Sequence, residues 1–462
     1  MVSSAVGPSG NSAGTAQVDL HAKSTHRKLL AAGLIGSSIE WYDFFLYGTA
    51  AALVFPHVFF PNTTALMGTL LSFSTFWAGF VARPLGGVIA GHFGDRHGRK
   101  PVVVACVSAM GLATFLIGCL PGTATIGAVA PILLVVLRFA QGIACGGQWG
   151  GIALLLTESS SPKRRGFAGT FGQMGVPLGV ILGNVAFLMA TAVMSNSAFL
   201  SWGWRIPFFC SALLFPVVLY IQTRVEDTPE FRQLQREAAG NGQPKVLQAP
   251  LTEAIRHQWR TILLGCGLLA ATNCVFYISI AGVLSYATAE LGMNRSELLA
   301  VSLLSSLIST GFILWAGAMS DRIGRRPMIL IGAVALIVWA FPYFWLVNTA
   351  SLLLFFVAVA VGGVFQSMTY GPLAAYLGEL FEPRVRFSGA SLAYQLAAIT
   401  ISGATPLIMT ALIARTGSTT LVSVFIALMG LITFGCAWAL RETNPAEVRK
   451  DPQALPGVRL PG

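Results

Sequence analysis

Four ionisable side chains stand where the chain around them has least tolerance for charge. Glu40 and Asp43 lie three apart in the apolar stretch 29–55, Arg83 lies within 66–91 and Arg138 within 127–156. A spacing of three puts Glu40 and Asp43 on one helical face. A charge at the centre of a membrane helix costs roughly 2.5–3.5 kcal/mol, so each of these needs a compensating role. Two adjoining carboxylates cannot both ionise cheaply in a dry site, so one is expected to keep its proton when dry and release it when hydrated. A neighbouring guanidinium favours the ionised form, and movement of Arg138 relative to Glu40 or Asp43 would therefore switch proton affinity. Glu40, Asp43 and Arg138 form the expected proton-handling set, meeting in a water-accessible hollow, with Arg138 also suited to anchor a carboxylate. The alternative is a fixed ion pair that only neutralises charge.

Polar residues that could line such a hollow recur on both sides of the chain's midpoint. Arg138, Gln141, Cys145 and Gln148 follow helical spacing, with Gly142, Gly146, Gly147, Gly150 and Gly151 interleaved for close packing. Arg83 either binds a carboxylate or belongs to a gate at the helix end eight residues on. The second half offers Asn273 with Tyr277 and Gln366 with Tyr370, each pair four apart, and Tyr394 beside Gln395. Trp41, Tyr42 and Trp149 have faces that suit a quaternary ammonium. The seven cysteines lie in apolar stretches with no CxxC pair and no histidine at ligand spacing. They read as buried thiols, and neither a metal nor an organic cofactor is expected. No positioned nucleophile–base pair points to an enzyme.

The elements that must hold these groups are membrane helices. Of the 462 residues 55% are hydrophobic and 10% charged, with a mean hydropathy of +0.71, against roughly a quarter charged in soluble chains. Twelve stretches are long and apolar enough to span a bilayer: 29–55, 66–91, 101–120, 127–156, 166–191, 203–223, 260–289, 297–318, 327–347, 350–378, 387–413 and 418–440. The pattern predicts a disordered tail at 1–28, a six-helix bundle at 29–223, a polar connector at 224–259, a second bundle at 260–440 and a tail at 441–462. All of the 29 Lys and Arg except Arg83, Arg138, Arg205, Arg295 and Arg415 fall in alternate loops, ends and tails. That bias places both termini and the connector in the cytoplasm, and it accounts for a net charge of +11 without a nucleic-acid partner.

The two halves repeat each other. Gly91-His92-Phe93-Gly94-Asp95-Arg96-His97-Gly98-Arg99-Lys100 after the second span is echoed by Gly317-Ala318-Met319-Ser320-Asp321-Arg322-Ile323-Gly324-Arg325-Arg326 after the eighth. Glu158, Pro162 and Arg165 are echoed, at the same spacing, by Glu379, Pro383 and Arg386. Two matched pairs in register point to duplication, the plan of a two-lobed membrane carrier. The glycines allow tight turns, and the charges can form a lattice: Asp95 and Asp321 with arginines such as Arg165 or Arg386, and Glu158 and Glu379 with Arg99 or Arg325. Such pairs are weak singly, at about 0–1 kcal/mol, yet a network can bias two nearly balanced conformations.

The loop G-x-x-x-D-R-x-G-R-[KR] resembles the signature of the major facilitator superfamily, and the paired E-x6-R is similar to its sugar-porter-like members. Glu40-Trp41-Tyr42-Asp43-Phe44, Arg83-Pro84-Leu85-Gly86-Gly87, Arg138-Phe139-Ala140-Gln141-Gly142 and Trp204-Arg205-Ile206-Pro207-Phe208 resemble the metabolite:proton symporter family within it. The likeness runs over about residues 29–440. It implies an all-α membrane fold of twelve helices in two pseudo-symmetric six-helix bundles, working by alternating access in a plasma (inner) membrane. The family includes carriers for shikimate, citrate, 2-oxoglutarate and proline or betaine. Where this chain has Gln148 the family usually has an acidic residue, a departure that either leaves coupling to Glu40 and Asp43 or takes coupling away.

Taken together these features predict proton-coupled import of a small metabolite, an organic-acid anion first because arginines suit carboxylates. Alternatives are a proline- or betaine-type zwitterion symporter, a drug:proton antiporter, a passive facilitator and a membrane sensor that has lost transport. The expected partners are a small-molecule substrate, protons and membrane lipid, with the monomer as the working unit.

Overall fold

The computed structural model describes residues 12–97, 99–146, 156–157, 160–212, 250–382 and 385–443, with side chains at 12–29, 32–33, 90–103, 162, 196, 250–254 and 387 outside the description. Every described element is helical. We number the spanning helices α1 (Ser12–Leu53), α2 (Ala65–His97), α3 (Arg99–Cys119), α4 (Val129–Gly146) and α5 (Arg165–Val193), with α6 described over 206–212. The second half begins with α7, built from Pro250–Leu268, Ala270–Tyr277, a π-turn Ile278–Gly282 and Val283–Ala289. There follow α8 (Arg295–Ile323), α9 (Arg325–Val347) and α10 (Leu352–Tyr370 continued by Leu373–Leu380). The last two are α11 (Arg386–Ala397, a π-turn Ala398–Ser402 and Thr405–Thr416) and α12 (Thr420–Ala439).

Among the described residues, nine helices have the length and apolarity to cross a membrane, and Val104–Cys119 is a shorter apolar helix. In α1 the polar residues around Glu40 and Asp43 dilute that apolarity, because this helix faces protein on its charged side. The inside-out arrangement is plain in α4. Ile132 and Val136 are 61% and 56% exposed, whereas Arg138, Gln141 and Cys145 on the other face are buried. In water the opposite sides would be exposed; a lipid solvent reverses the choice.

The packing order repeats between halves. In the first, α1 packs on α5, α2 on α4, and α3 on α4; in the second, α7 packs on α11, α8 on α10, and α9 on α10. Two six-helix bundles related in this way face each other through α5 against α8, α2 against α11, and α1 against α7.

Two boundaries differ from the sequence expectation. Residues 12–28 continue α1 instead of forming part of a disordered tail, since a long membrane helix supplies the nucleus and extension adds residues at little cost. The last ten residues of the predicted connector, 250–259, already belong to α7. The segment 441–443 is also docked, not free. Tyr376 donates to the Arg441 carbonyl (2.8 Å), and Glu442 accepts the first N–H groups of α9, at Arg325 and Arg326 (2.9 Å each). The turn those groups follow needs its glycine, for Gly324 has a φ of 106°.

Candidate functional site

Glycines set the geometry of the charged core. A Cβ at Gly86 would overlap the Ile143 carbonyl, one at Gly142 the Gly79 carbonyl, and one at Gly146 the Arg83 carbonyl. The backbones of α2 and α4 therefore touch, and Arg83 and Arg138 are brought to one ring: each guanidinium carbon stands 4.2 Å from the centroid of Phe44 on α1. Trp41 and Phe80 also face Arg83, while Tyr47 and Phe76 face Arg138. Cation–π contacts of this kind, desolvated, contribute up to about 2 kcal/mol each and help hold two like charges near each other.

Both arginines and both acids are buried. Arg138 donates to the side-chain amide oxygen (Oε1) of Gln141, and the Gln141 amide NH2 donates to Thr114 (2.8 Å) and to the backbone carbonyl of Asp43 (3.4 Å). The Cys145 thiol donates to Glu40 (3.6 Å), and the charge that acts on Glu40 is that of Arg83. The Thr114 hydroxyl is in hydrogen-bonding reach of the Asp43 carboxyl, whose Oδ1 has no partner among the described residues. Arg138, the expected counter-charge, is held by Gln141 in this conformation, and the charge acting on Glu40 is that of Arg83. Arg83, expected either at a carboxylate or at a helix-end gate, sits inside an aromatic cage of Trp41, Phe44 and Phe80. Neither arginine is fully satisfied: Nε and Nη2 of each lack a protein acceptor among the described residues.

Tyrosines of the second bundle complete this centre. Tyr277 meets Phe45, Phe76 and Phe80 of the first bundle, and Tyr277 and Tyr394 both lie in the field of Arg83. Tyr370 hydrogen-bonds with Tyr394. Beyond Tyr370 a cavity opens between α5, α7, α8 and α10, lined in part by Gln366, Tyr370, Ser302, Ser305, Ser306 and Ser309. Glu40, Asp43 and Arg138 do not line it. Among the described residues the expected water-accessible hollow does not reach them in this conformation: all three are buried, and aromatic residues of α1 and α2 with Tyr277 pack over the charges.

Other candidates are placed as follows. Gln366 donates to Thr272 (2.9 Å) at the cavity wall. Asn273 is buried but outside the cavity lining. Gln395 donates to the Gly146 carbonyl (3.1 Å), a contact between bundles, and the Tyr42 hydroxyl is spent on the Pro207 carbonyl (2.6 Å). Neither Gln395 nor Tyr42 faces the cavity. Gln148, Trp149, Glu158 and Gly98 lie outside the described residues; for Gly91, Asp95, Arg96 and Arg99 only the helical backbone is described. Sequence reading missed the serines of α8. Their signal was present, since 302, 305, 306 and 309 follow the i, i+3, i+4, i+7 pattern of one helical face.

At the repeat-loop end, Asp321 accepts the backbone N–H groups of Gly166 (2.9 Å) and Phe167 (2.8 Å), the first turn of α5 in the other bundle. A carboxylate at a helix N-terminus satisfies groups that have no intrahelical partner and meets the positive end of the helix dipole. Arg325, fully buried, pairs with Asp321 (2.7 Å) and stands 3.5 Å from Glu379, while Arg322 is exposed. The expected lattice thus has Glu379 with Arg325, and Asp321 reaches the start of α5, beside Arg165, through the backbone N–H groups of Gly166 and Phe167. Arg165 is half-buried, and Arg386 opens α11. At the opposite end Arg295 of α8 donates to the Leu53 carbonyl that ends α1 (3.2 Å).

Two helical bundles with buried charges between them and latches at both ends define a multi-pass membrane transporter. The Major Facilitator Superfamily profile matches residues 33–390 and 266–460, and the chain belongs to that family. It is 39% identical over 391 residues to the inner membrane metabolite transport protein YhjE of Escherichia coli, covering 83% of this chain and 87% of that one. It is 38% identical to the shikimate transporter of the same organism (84% and 88% covered) and 32% identical to its proline/betaine transporter (88% and 82%). Among solved structures, the partially occluded inward-open xylose transporter XylE of Escherichia coli matches with a TM-score of 0.70 at 16% identity, covering 91% of this chain and 99% of XylE. Relatives and fold alike are those of carriers, not enzymes.

Proposed function

We propose that the protein is a proton-coupled symporter that imports an organic-acid anion by alternating access. The observation that carries this reading is the pair of buried arginines, each with two unpartnered guanidinium nitrogens, beside two buried carboxyls where the bundles meet. Buried guanidiniums with free donors suit a bidentate carboxylate. Of the aromatic faces that could receive a quaternary ammonium, that of Trp41 is occupied, with Arg83 over it and Phe45 stacked on it. That favours the anion over the betaine-type cargo.

In the proposed cycle the bundles part on the outer side, water reaches the α1 acids, and Asp43 or Glu40 takes a proton while the cargo carboxylate enters toward Arg83 and Arg138. Closure dries the site, and opening to the cytoplasm rehydrates it and releases both. The proposal places both termini in the cytoplasm and the monomer as the working unit. The relatives named for metabolite and shikimate transport support the cargo class, and those named for proline and betaine mark the rival.

The test is uptake into liposomes with labelled organic acids and labelled betaine. Acidifying the outside should drive accumulation of an organic acid above its equilibrium level. Uptake that is equal with and without the pH gradient would reduce the protein to a facilitator, and gradient-driven betaine uptake alone would overturn the cargo class.

A further inference from the structure

At the repeat-loop end, the outer rim of the second bundle has a basic and aromatic surface that the transport cycle does not use. Trp259 on α7 is 50% exposed and Trp438 at the end of α12 is 63% exposed. Each tops an outward-facing apolar stripe: exposed Leu263 lies one turn from Trp259, and exposed Leu431 two turns from Trp438. Each ring also has a guanidinium against it. Arg260 stands 5.4 Å from the Trp259 centroid, and Arg326 stands 5.0 Å from that of Trp438. A tryptophan at the top of a lipid-facing stripe, with arginine beyond it, marks the level where hydrocarbon gives way to headgroups.

The backbone of α7 changes direction at the same level. Gln258 has φ −126° and ψ 24°, which breaks the helix and makes 250–257 a separate short segment. Just before the break Ile255 and Arg256 are both exposed. A helix that lies along a bilayer surface sets apolar groups into the boundary and basic groups at the phosphates. The neighbouring helix supplies a further cation. A Cβ at Gly267 of α7 would meet Cys436 and Ile432 of α12, and the two helices run antiparallel. Seven residues back along α7, Arg260 is therefore level with the segment leaving α12, where Arg441 is exposed. The acids described at this end leave the cations largely uncompensated: Glu442, Glu379 and Asp321 are engaged by backbone N–H groups, Thr443 and Arg325, and the exposed Glu382 follows α10.

We propose that Arg256, Arg260 and Arg441 form a site for the phosphate groups of anionic phospholipid, with the rings of Trp259 and Trp438 seated at the top of the acyl chains. Guanidinium groups match phosphate oxygens in pairs. The ligand is lipid and not a soluble phosphate, because the cations border an apolar outer surface that lipid covers. A net negative headgroup is preferred to a zwitterionic one, since a choline ammonium would add a fourth cation to the cluster. The site holds the start of α7, the helix that carries Tyr277 into the charged centre, and it stands whichever cargo the protein moves.

The experiment reads tryptophan quenching in the purified full chain, reconstituted in phosphatidylcholine vesicles that contain an equal mole fraction of brominated phosphatidylglycerol or brominated phosphatidylcholine. The part of the signal lost in Trp259→Phe reports the site. Brominated phosphatidylglycerol should associate there at least about fivefold more tightly than the brominated phosphatidylcholine. The double variant Arg256→Gln/Arg260→Gln should lower that preference about fivefold or more, and Arg441→Gln, as a second variant, should lower it in the same direction. Quenching by brominated phosphatidylcholine that is unchanged in these variants shows that Trp259 still meets lipid and that the fold is kept. Equal association of the two lipids, a preference untouched by both variants, or no quenching of Trp259 by either lipid, as when protein covers the patch, overturns the proposal. Displacement of the brominated phosphatidylglycerol by millimolar inorganic phosphate also overturns it, by making the cluster a site for soluble anions.

Discussion

Asp43 and Glu40 differ in ways that separate their duties. Glu40 has Arg83 and the Cys145 thiol beside it, whereas Asp43 has the Thr114 hydroxyl and one oxygen without a partner among the described residues. An unpaired carboxyl in a dry site is the one whose charge is least compensated, and so the one that gains most from a proton. Asp43→Asn is therefore expected to abolish proton-driven accumulation in liposomes while cargo exchange without a gradient persists; unchanged accumulation would remove Asp43 from the proton path. Arg83 offers a second test. Arg83→Lys keeps the charge but loses the planar fork that lies between Trp41, Phe44 and Phe80. Affinity for an organic acid should fall about tenfold or more in a binding assay, and an unaltered affinity would leave Arg83 as packing.

At the scale of elements, the contact of α2 with α4 decides whether the charged centre exists. Gly86, Gly142 and Gly146 let carbonyl meet backbone across the pair, and Gly79 leaves room for the Arg138 guanidinium. Gly86→Ala should destabilise the protein by about 1–3 kcal/mol, as overpacking of a rigid contact does, and appear as a lower melting temperature in detergent. Gly311, which meets nothing within 4 Å, is the matched control, and Gly311→Ala should leave the melting temperature nearly unchanged. The two π-turns, in α7 and α11, belong to the same level. The Ile399 carbonyl in the second accepts from Trp77 of α2 (2.8 Å), so an irregular turn in one bundle is completed by the other.

For the whole molecule, the two latches have opposite expected effects. Asp321 ties α8 to the start of α5 at one end, and Arg295 ties α8 to the end of α1 at the other. Each is worth little alone, yet a small bias shifts the population of a nearly balanced pair of states. With a cysteine placed at Ser309, Asp321→Asn should speed labelling by an impermeant thiol reagent from the repeat-loop side, and Arg295→Ala should speed it from the opposite side. Labelling that does not change in either variant would confine those contacts to holding the helices in place.

Much of this organisation was legible in the chain itself. Span count, the duplicated loops, the family and the acidic face of α1 follow from rules that hold over short distances: about 20 apolar residues cross a bilayer, and a spacing of three or four shares a helical face. The α8 serines obeyed the same rule, but serine in a membrane helix is equally at home as packing, so only the cavity beside them gave the row a meaning. Which arginine stands by which acid could not be read from spacing, because it depends on how closely α2 and α4 approach and on Phe44 coming between their arginines from a third helix. The sealing of Glu40, Asp43 and Arg138 was likewise decided by tertiary structure. It is made by aromatic rings from α1, α2 and α7, whose meeting is a property of two bundles packed together and of no single segment.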